Sequence, residues 1–279
     1  MNASILFALA LAAALPQAAT AQQAGTPPPN RFAATIAPAE RFEIQGMLVE
    51  RHGGKGRPLI LIPGLASGAW VWQDLVRRFS PEYTLYVVTL PGFDGRPAPA
   101  AAPFAAARSA VGELVAGRRL DKPVLVGHSL GGAAVLAAAA AVPETRAVAT
   151  IAAPSDPHHI LGLFDEHLDT ISEHGEARVK LAGREFTIRR QFIDDVAEHR
   201  LLEKVHALGL PLLVLHSPLD RTVALSNAMQ IFEAARHPKS FVSLDSADHL
   251  LSRREDAQYV AGVIAAWSTR YLDSQHHAV

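Results

Sequence analysis

The chain has 279 residues, 49% apolar and 19% charged, a balance that fits one globular domain around a large core. Its 26 Lys and Arg nearly cancel its 27 Asp and Glu, which leaves no broad basic field for nucleic acid or an anionic membrane and makes a small molecule the expected partner. Cysteine is absent, which excludes a disulfide framework, a thiol nucleophile and a lipoprotein anchor together.

In chain order, the apolar run Ile5 to Leu15 is too short to cross a bilayer and precedes Ala19-Thr20-Ala21, a small-x-small cleavage pattern. Residues 1–21 therefore read as a signal peptide, with a secreted or periplasmic product and no stable membrane insertion after cleavage. An uncleaved anchor is the alternative, because the α-amino group is the only positive charge ahead of the run. Residues 22–40, with Pro27-Pro28-Pro29, have the composition of an extended linker, and residues 41–279 that of the folded body.

Short strand-like runs then follow: Phe42 to Ile44, Met47 to Glu50, Leu59 to Ile62, Leu85 to Thr89, Val124 to Val126, Ala147 to Ile151, Leu212 to Leu215 and Phe241 to Leu244. Helical spacing fills most of the gaps, over Trp72 to Phe79, Ala105 to Val115, Leu130 to Ala141, Ala224 to Ala235 and Ala257 to Tyr271. Apolar strands alternating with helices predict an α/β fold, a mostly parallel sheet covered on both faces. The stretch from about 154 to 208 is longer than a connection needs and reads as an inserted cap. Within it Ile160, Phe164, Leu168 and Ile171 share a helical face, Val179, Leu181, Phe186 and Ile188 alternate as a hairpin, and Phe192, Val196 and Leu201 suggest a returning helix.

The sharpest motif is Gly127-His128-Ser129-Leu130-Gly131, directly after a buried strand and directly before an alanine-rich helix. This is a nucleophile elbow in the context it requires, where side chains at the flanking glycines would collide with the turn. A serine hydroxyl needs a base and a group to orient that base. The loop after Leu212 to Leu215 offers Asp220, and the loop after Phe241 to Leu244 offers His249, so Ser129, Asp220 and His249 are the expected catalytic residues. His216, Asp245 and Asp248 are rivals in the same loops that also read as turn caps. His128 reads as structural, pointing away from the serine. The developing oxyanion calls for two amides, expected at Leu130 and at Leu65 in Ile62-Pro63-Gly64-Leu65.

These residues resemble the α/β-hydrolase superfamily. Leu59 to Trp72 is similar to its oxyanion strand and loop, Leu90-Pro91-Gly92-Phe93-Asp94-Gly95 to its next strand-end loop, and the order Ser, Asp, His to its triad. The likeness spans most of Arg41 to Tyr271. Pro63 departs from it, where many members carry histidine, and leaves the shape of that loop open. Ala153 to Pro157, Thr187 to Phe192 and Ala234 to Phe241 resemble the hydrolase half of proteins fused to an OsmC-like peroxidase domain; that domain works through thiols, so no peroxidase function carries over.

The expected activity is that of a serine hydrolase of carboxylic esters that needs no cofactor. An acyltransferase or perhydrolase with the same triad is the alternative, as is a binding protein on the same fold. Trp70, Trp72, Phe164 and Phe192, with Leu163, are candidates to meet the acyl group. The paired histidines His158-His159 and His276-His277 point to different faces, so no metal is expected.

Overall fold

Residues that alternate between two apolar layers can satisfy their backbone only as neighbours in a sheet, and the apolar runs of this chain do so. The computed structural model describes residues 36–272, apart from 66, 95, 97–102, 182–183 and 198–199; the segment expected to be a signal peptide and most of the linker lie outside the described residues. In chain order the strands are β1 (Glu40–Ile44), β2 (Met47–Gly53), β3 (Pro58–Ile62), β4 (Thr84–Thr89), β5 (Val124–His128), β6 (Ala147–Ile151), β7 (Glu176–Leu181), β8 (Arg184–Arg189), β9 (Leu212–His216) and β10 (Lys239–Ser243). Eight of them form one sheet in the order β1-β2-β4-β3-β5-β6-β9-β10, while β7 and β8 pair with each other. β2 is antiparallel to both its neighbours, and from β4 to β10 every pair is parallel.

The helices are α1 (Gln73–Phe79), which continues a 3-10 turn at Ala69–Trp72, then α2 (Pro103–Gly117), α3 (Leu130–Ala139), α4 (Leu168–His174), α5 (Arg190–Ala197), α6 (Leu201–Ala207), α7 (Leu225–Ala234) and α8 (Arg254–Leu272). Strand periodicity divides the core in two. Leu59, Leu61, Val124, Val126 and Leu213 pack with Leu75 and Phe79 of α1 and Val260 and Ile264 of α8. Ile60, Ile62, Leu125, Val148 and Val214 pack with Val111, Leu136, Val205 and Ile231 of α2, α3, α6 and α7. All ten residues of α3 are buried, as expected of a helix apolar on every side.

Three sequence expectations need correction. The linker does not run to residue 40: the Ile36 amide donates to Gln73 Oε1 at 2.7 Å and β1 already starts at Glu40. The run through Ile160 and Phe164 is a 3-10 helix, Pro157–His167, started by the Asp156 side chain accepting from the His158 amide; an α-helix begins only at Leu168. The returning helix is two helices: α5 ends at Ala197 and α6 starts at Leu201, directly after Arg200, whose φ −83° and ψ 73° are not helical.

The chain between β6 and β9 is continuous with the main core. Phe164, Ile171, Val179, Phe186, Ile188, Phe192 and Val196 join the apolar cluster that covers the α3 face of the sheet. At its root, Asn227 Oδ1 on α7 accepts from the Ser155 amide at 3.0 Å and lies 2.9 Å from the Ser155 hydroxyl.

Candidate active site

Ser129 follows β5 directly, with φ 53° and ψ −126°, a region costly for any residue with a Cβ. The sequence allows the turn because its neighbours are glycines at points of closest approach. A Cβ on Gly127 would lie 2.2 Å from the Gly131 carbonyl oxygen, and one on Gly131 would lie 2.4 Å from those of Ile62 and Pro63. The Ser129 amide donates to Ile151 O at 2.8 Å, which ties the turn to β6.

Parallel strands bring the other groups to the same edge. β9 and β10 are neighbours, so the loops that leave their carboxyl ends lie side by side. His249 Nε2 is 3.0 Å from Ser129 Oγ, and His249 Nδ1 is 2.8 Å from Asp220 Oδ2. The other oxygen, Asp220 Oδ1, accepts from the amides of Thr222 at 2.8 Å and Val223 at 2.9 Å. Burial by itself raises a carboxyl pKa; here the hydrogen bond and charge of His249, with the two amides, outweigh it and hold Asp220 below the usual carboxylate range. The three side chains named from the sequence are thus joined in one line of hydrogen bonds.

The rivals make other bonds, although His216 Nε2 lies 3.7 Å from Asp220 Oδ2. Asp248 Oδ1 accepts from the Ser252 amide at 2.8 Å, and Asp245 Oδ1 accepts from the Ser243 hydroxyl at 3.1 Å, so both act as turn caps. His216, fully buried at the end of β9, donates from Nε2 to the Val223 carbonyl at 2.8 Å and closes the loop that carries Asp220. Burial lowers its pKa and keeps it neutral.

The loop after β3 lies against the elbow: a Cβ on Gly64 would sit 2.9 Å from Ser129 Cβ. Leu65 is half-buried on that loop, and Leu130 opens α3, where a helix leaves its amide without an intrahelical acceptor. Of the acyl-group candidates, Trp70 is half-buried on the 3-10 turn and Leu163 is exposed. Trp72 is a correction: it is 2% exposed among Leu75, Val76 and Phe79, on the core face opposite α3, because positions 72, 75, 76 and 79 form one helical stripe. Phe164 and Phe192 are buried too, ring against ring at 5.7 Å and 89°.

His128, structural on the sequence reading, makes a contact that the sequence does not indicate. Its Nε2 is 2.7 Å from the carbonyl oxygen of His249. The available signal is a titratable ring next to the nucleophile, but nothing in a sequence names a main-chain partner 121 positions away. His158 belongs to the turn capped by Asp156, and His276-His277 lie outside the described residues. Among the described residues no three His, Asp or Glu side chains are grouped to hold a metal, and no helix is long and apolar enough to cross a membrane.

Comparison with known proteins places the chain in a family. The sequence profile of the alpha/beta hydrolase family matches residues 59–263. A pimeloyl-[acyl-carrier protein] methyl ester esterase of Xanthomonas campestris pv. campestris is 40% identical over 103 residues, 36% of this chain and 38% of that protein, so the likeness spans little more than a third of the relative. The esterase domain of a Rhodothermus marinus protein superposes with a TM-score of 0.65 at 33% identity, covering 84% of this chain and 98% of the domain. Alpha/beta hydrolase domain-containing protein 10 from mouse shares the fold with a TM-score of 0.65 at 24% identity, over 80% of this chain and 94% of its own. A profile match across most of the chain, and a structural match that extends further still, mean that this protein belongs to the alpha/beta hydrolase family.

Proposed function

We propose that the protein is a carboxylesterase that cleaves small-molecule esters through an acyl-enzyme on Ser129. The observation that carries this reading is the line of hydrogen bonds from Ser129 Oγ through the His249 ring to Asp220. His249 Nε2 takes the hydroxyl proton as Oγ attacks the ester carbonyl. Asp220 holds the Nδ1 proton, fixes the tautomer and stabilises the imidazolium. The amides of Leu65 and Leu130 receive the oxyanion, and Trp70 is the remaining aromatic candidate for contact with the acyl group. The imidazolium protonates the departing alcohol; water, deprotonated by His249, then releases the acid. The names of the Xanthomonas and Rhodothermus relatives both specify an esterase, which supports esters over other acyl compounds.

The test is turnover of short-chain p-nitrophenyl esters. Ser129→Ala is expected to lose roughly 10⁴-fold or more in kcat. A variant that keeps the wild-type rate refutes covalent catalysis by this serine. Failure of a fluorophosphonate to label Ser129 in the wild type favours a binding protein on the same fold.

A further inference from the structure

We propose that His128 is a positioning residue: its ring grips the main chain of His249 and holds that imidazole in line with Ser129. The inference rests on the catalytic reading of Ser129 and His249 given above.

His128 ends β5 one residue before the nucleophile and is 6% exposed. Its ring stands 5.2 Å from that of His249 at 44°, and its Nε2 is 2.7 Å from the His249 carbonyl oxygen. A carbonyl only accepts, so Nε2 carries the proton and Nδ1 is a bare lone pair. Nδ1 has no hydrogen-bond partner among the described residues and lies toward Gly64, where a Cβ would come within 3.4 Å of it. An unpaired buried nitrogen is costly, and a phenyl ring would occupy a similar space without that cost. A donor aimed at His249 is what a phenyl ring lacks.

The bond acts where the other support comes from the loop itself and from the neighbouring loop after β9, which holds the His249 ring through Asp220. The loop is held by its own turns, from the Ala247 amide to Leu244 O at 2.9 Å and from the Leu251 amide to Asp248 O at 3.1 Å, and by the Ser217 hydroxyl on Asp245 O at 3.0 Å. Apart from the bond between Ser129 and His249 itself, the His128 contact is the hydrogen bond that joins the elbow to this loop among the described residues. The donor must also be uncharged, because a second cation would oppose the imidazolium formed in each half-reaction. Burial and then the nearby His249 lower the His128 pKa to about 4, against the smaller raising effects of its bond to the His249 carbonyl and of Asp220 and Asp248. A neutral imidazole donates without adding charge; lysine or arginine does not.

The experiment compares His128→Phe with His128→Gln, whose amide keeps a donor at similar reach, in p-nitrophenyl ester turnover normalised to folded enzyme well below each melting temperature. For the phenylalanine variant, kcat is expected to fall by on the order of 10²-fold with KM within about threefold, the cost of a misplaced catalytic group. The glutamine variant is expected to stay within about fivefold of wild type. The far-downfield proton NMR signal of the His249 Nδ1–H is expected in wild type and the glutamine variant and lost in the phenylalanine variant, a change that a merely stabilising role does not produce. Full kcat and an unchanged signal in His128→Phe overturn the proposal. If that variant does not fold, His128→Asn, whose amide stops short of the carbonyl, serves in its place, and full kcat there overturns it equally. A wild type that neither turns over esters nor reacts with a fluorophosphonate refutes the parent reading, and this proposal with it; an active wild type with a fully active donorless variant refutes this proposal alone.

Discussion

At Ser129 the chain accepts a backbone that costs about 1–3 kcal/mol, and the surrounding residues are arranged to make that turn unavoidable. Glycines 127 and 131 remove the collisions, Ile151 O fixes the serine amide, and Gly64 leaves room on the open side. The two strand-end histidines add a cost of another kind, since each is buried neutral while the unfolded chain leaves it free to protonate. For His128 the sign is set by a folded pKa of about 4 below the ordinary 6.5: its full contribution is present above pH 6.5 and is lost as pH falls toward 4. At about 1.4 kcal/mol per pH unit, the loss across that window is about 3 kcal/mol. Asp220, whose pKa is lowered from 3.8, is ionised in both states through most of this range and loses its contribution only further into acid. Urea unfolding between pH 6.5 and 4.5 should therefore show stability that declines with acid in wild type, and declines less steeply, by about one proton, in His128→Gln. Parallel slopes in the two proteins would mean that His128 does not titrate between the folded and unfolded states.

At the scale of elements, legibility in the sequence follows burial. β3, β5, β6 and β9 are buried along their whole length, and each is visible as a mostly apolar run. So are the elbow and the two loops that carry Asp220 and His249, because each closes a strand whose neighbour is set by parallel pairing. The features that stay hidden depend on tertiary contact. The break between α5 and α6 includes Arg200, whose non-helical ψ falls inside a pattern that could have continued. Phe164 and Phe192 have the spacing of a helical face whether they line a pocket or fill a core, and only their mutual contact assigns them to a core. Phe164 is wholly buried, so Phe164→Ala is expected to cost about 3–5 kcal/mol, read as a shifted midpoint in denaturant. A loss under about 1 kcal/mol, joined to an altered preference for acyl-chain length, would return Phe164 to the pocket and remove it from the core.

For the whole molecule, the open question is whether the chain between β6 and β9 behaves as a separate lid or as part of one cooperative body. Two features favour the second. The buried side chains of this insert belong to the apolar cluster that packs against α2 and α3, and Phe186 of its hairpin meets Phe93, from the loop after β4, at 5.6 Å. Its root is tied to α7 through Ser155 and Asn227. Elements that share one core lose it together, so a single unfolding transition is expected. The sequence offers a clean way to watch both parts. Its three tryptophans, Trp70, Trp72 and Trp267, all lie outside the insert, and the absence of native cysteine lets one engineered thiol at the exposed Glu185 carry a dye on the hairpin. Tryptophan emission and dye signal should then change at the same urea concentration with the same steepness. A dye transition at distinctly lower urea, with tryptophan emission still native, would show that the insert opens independently.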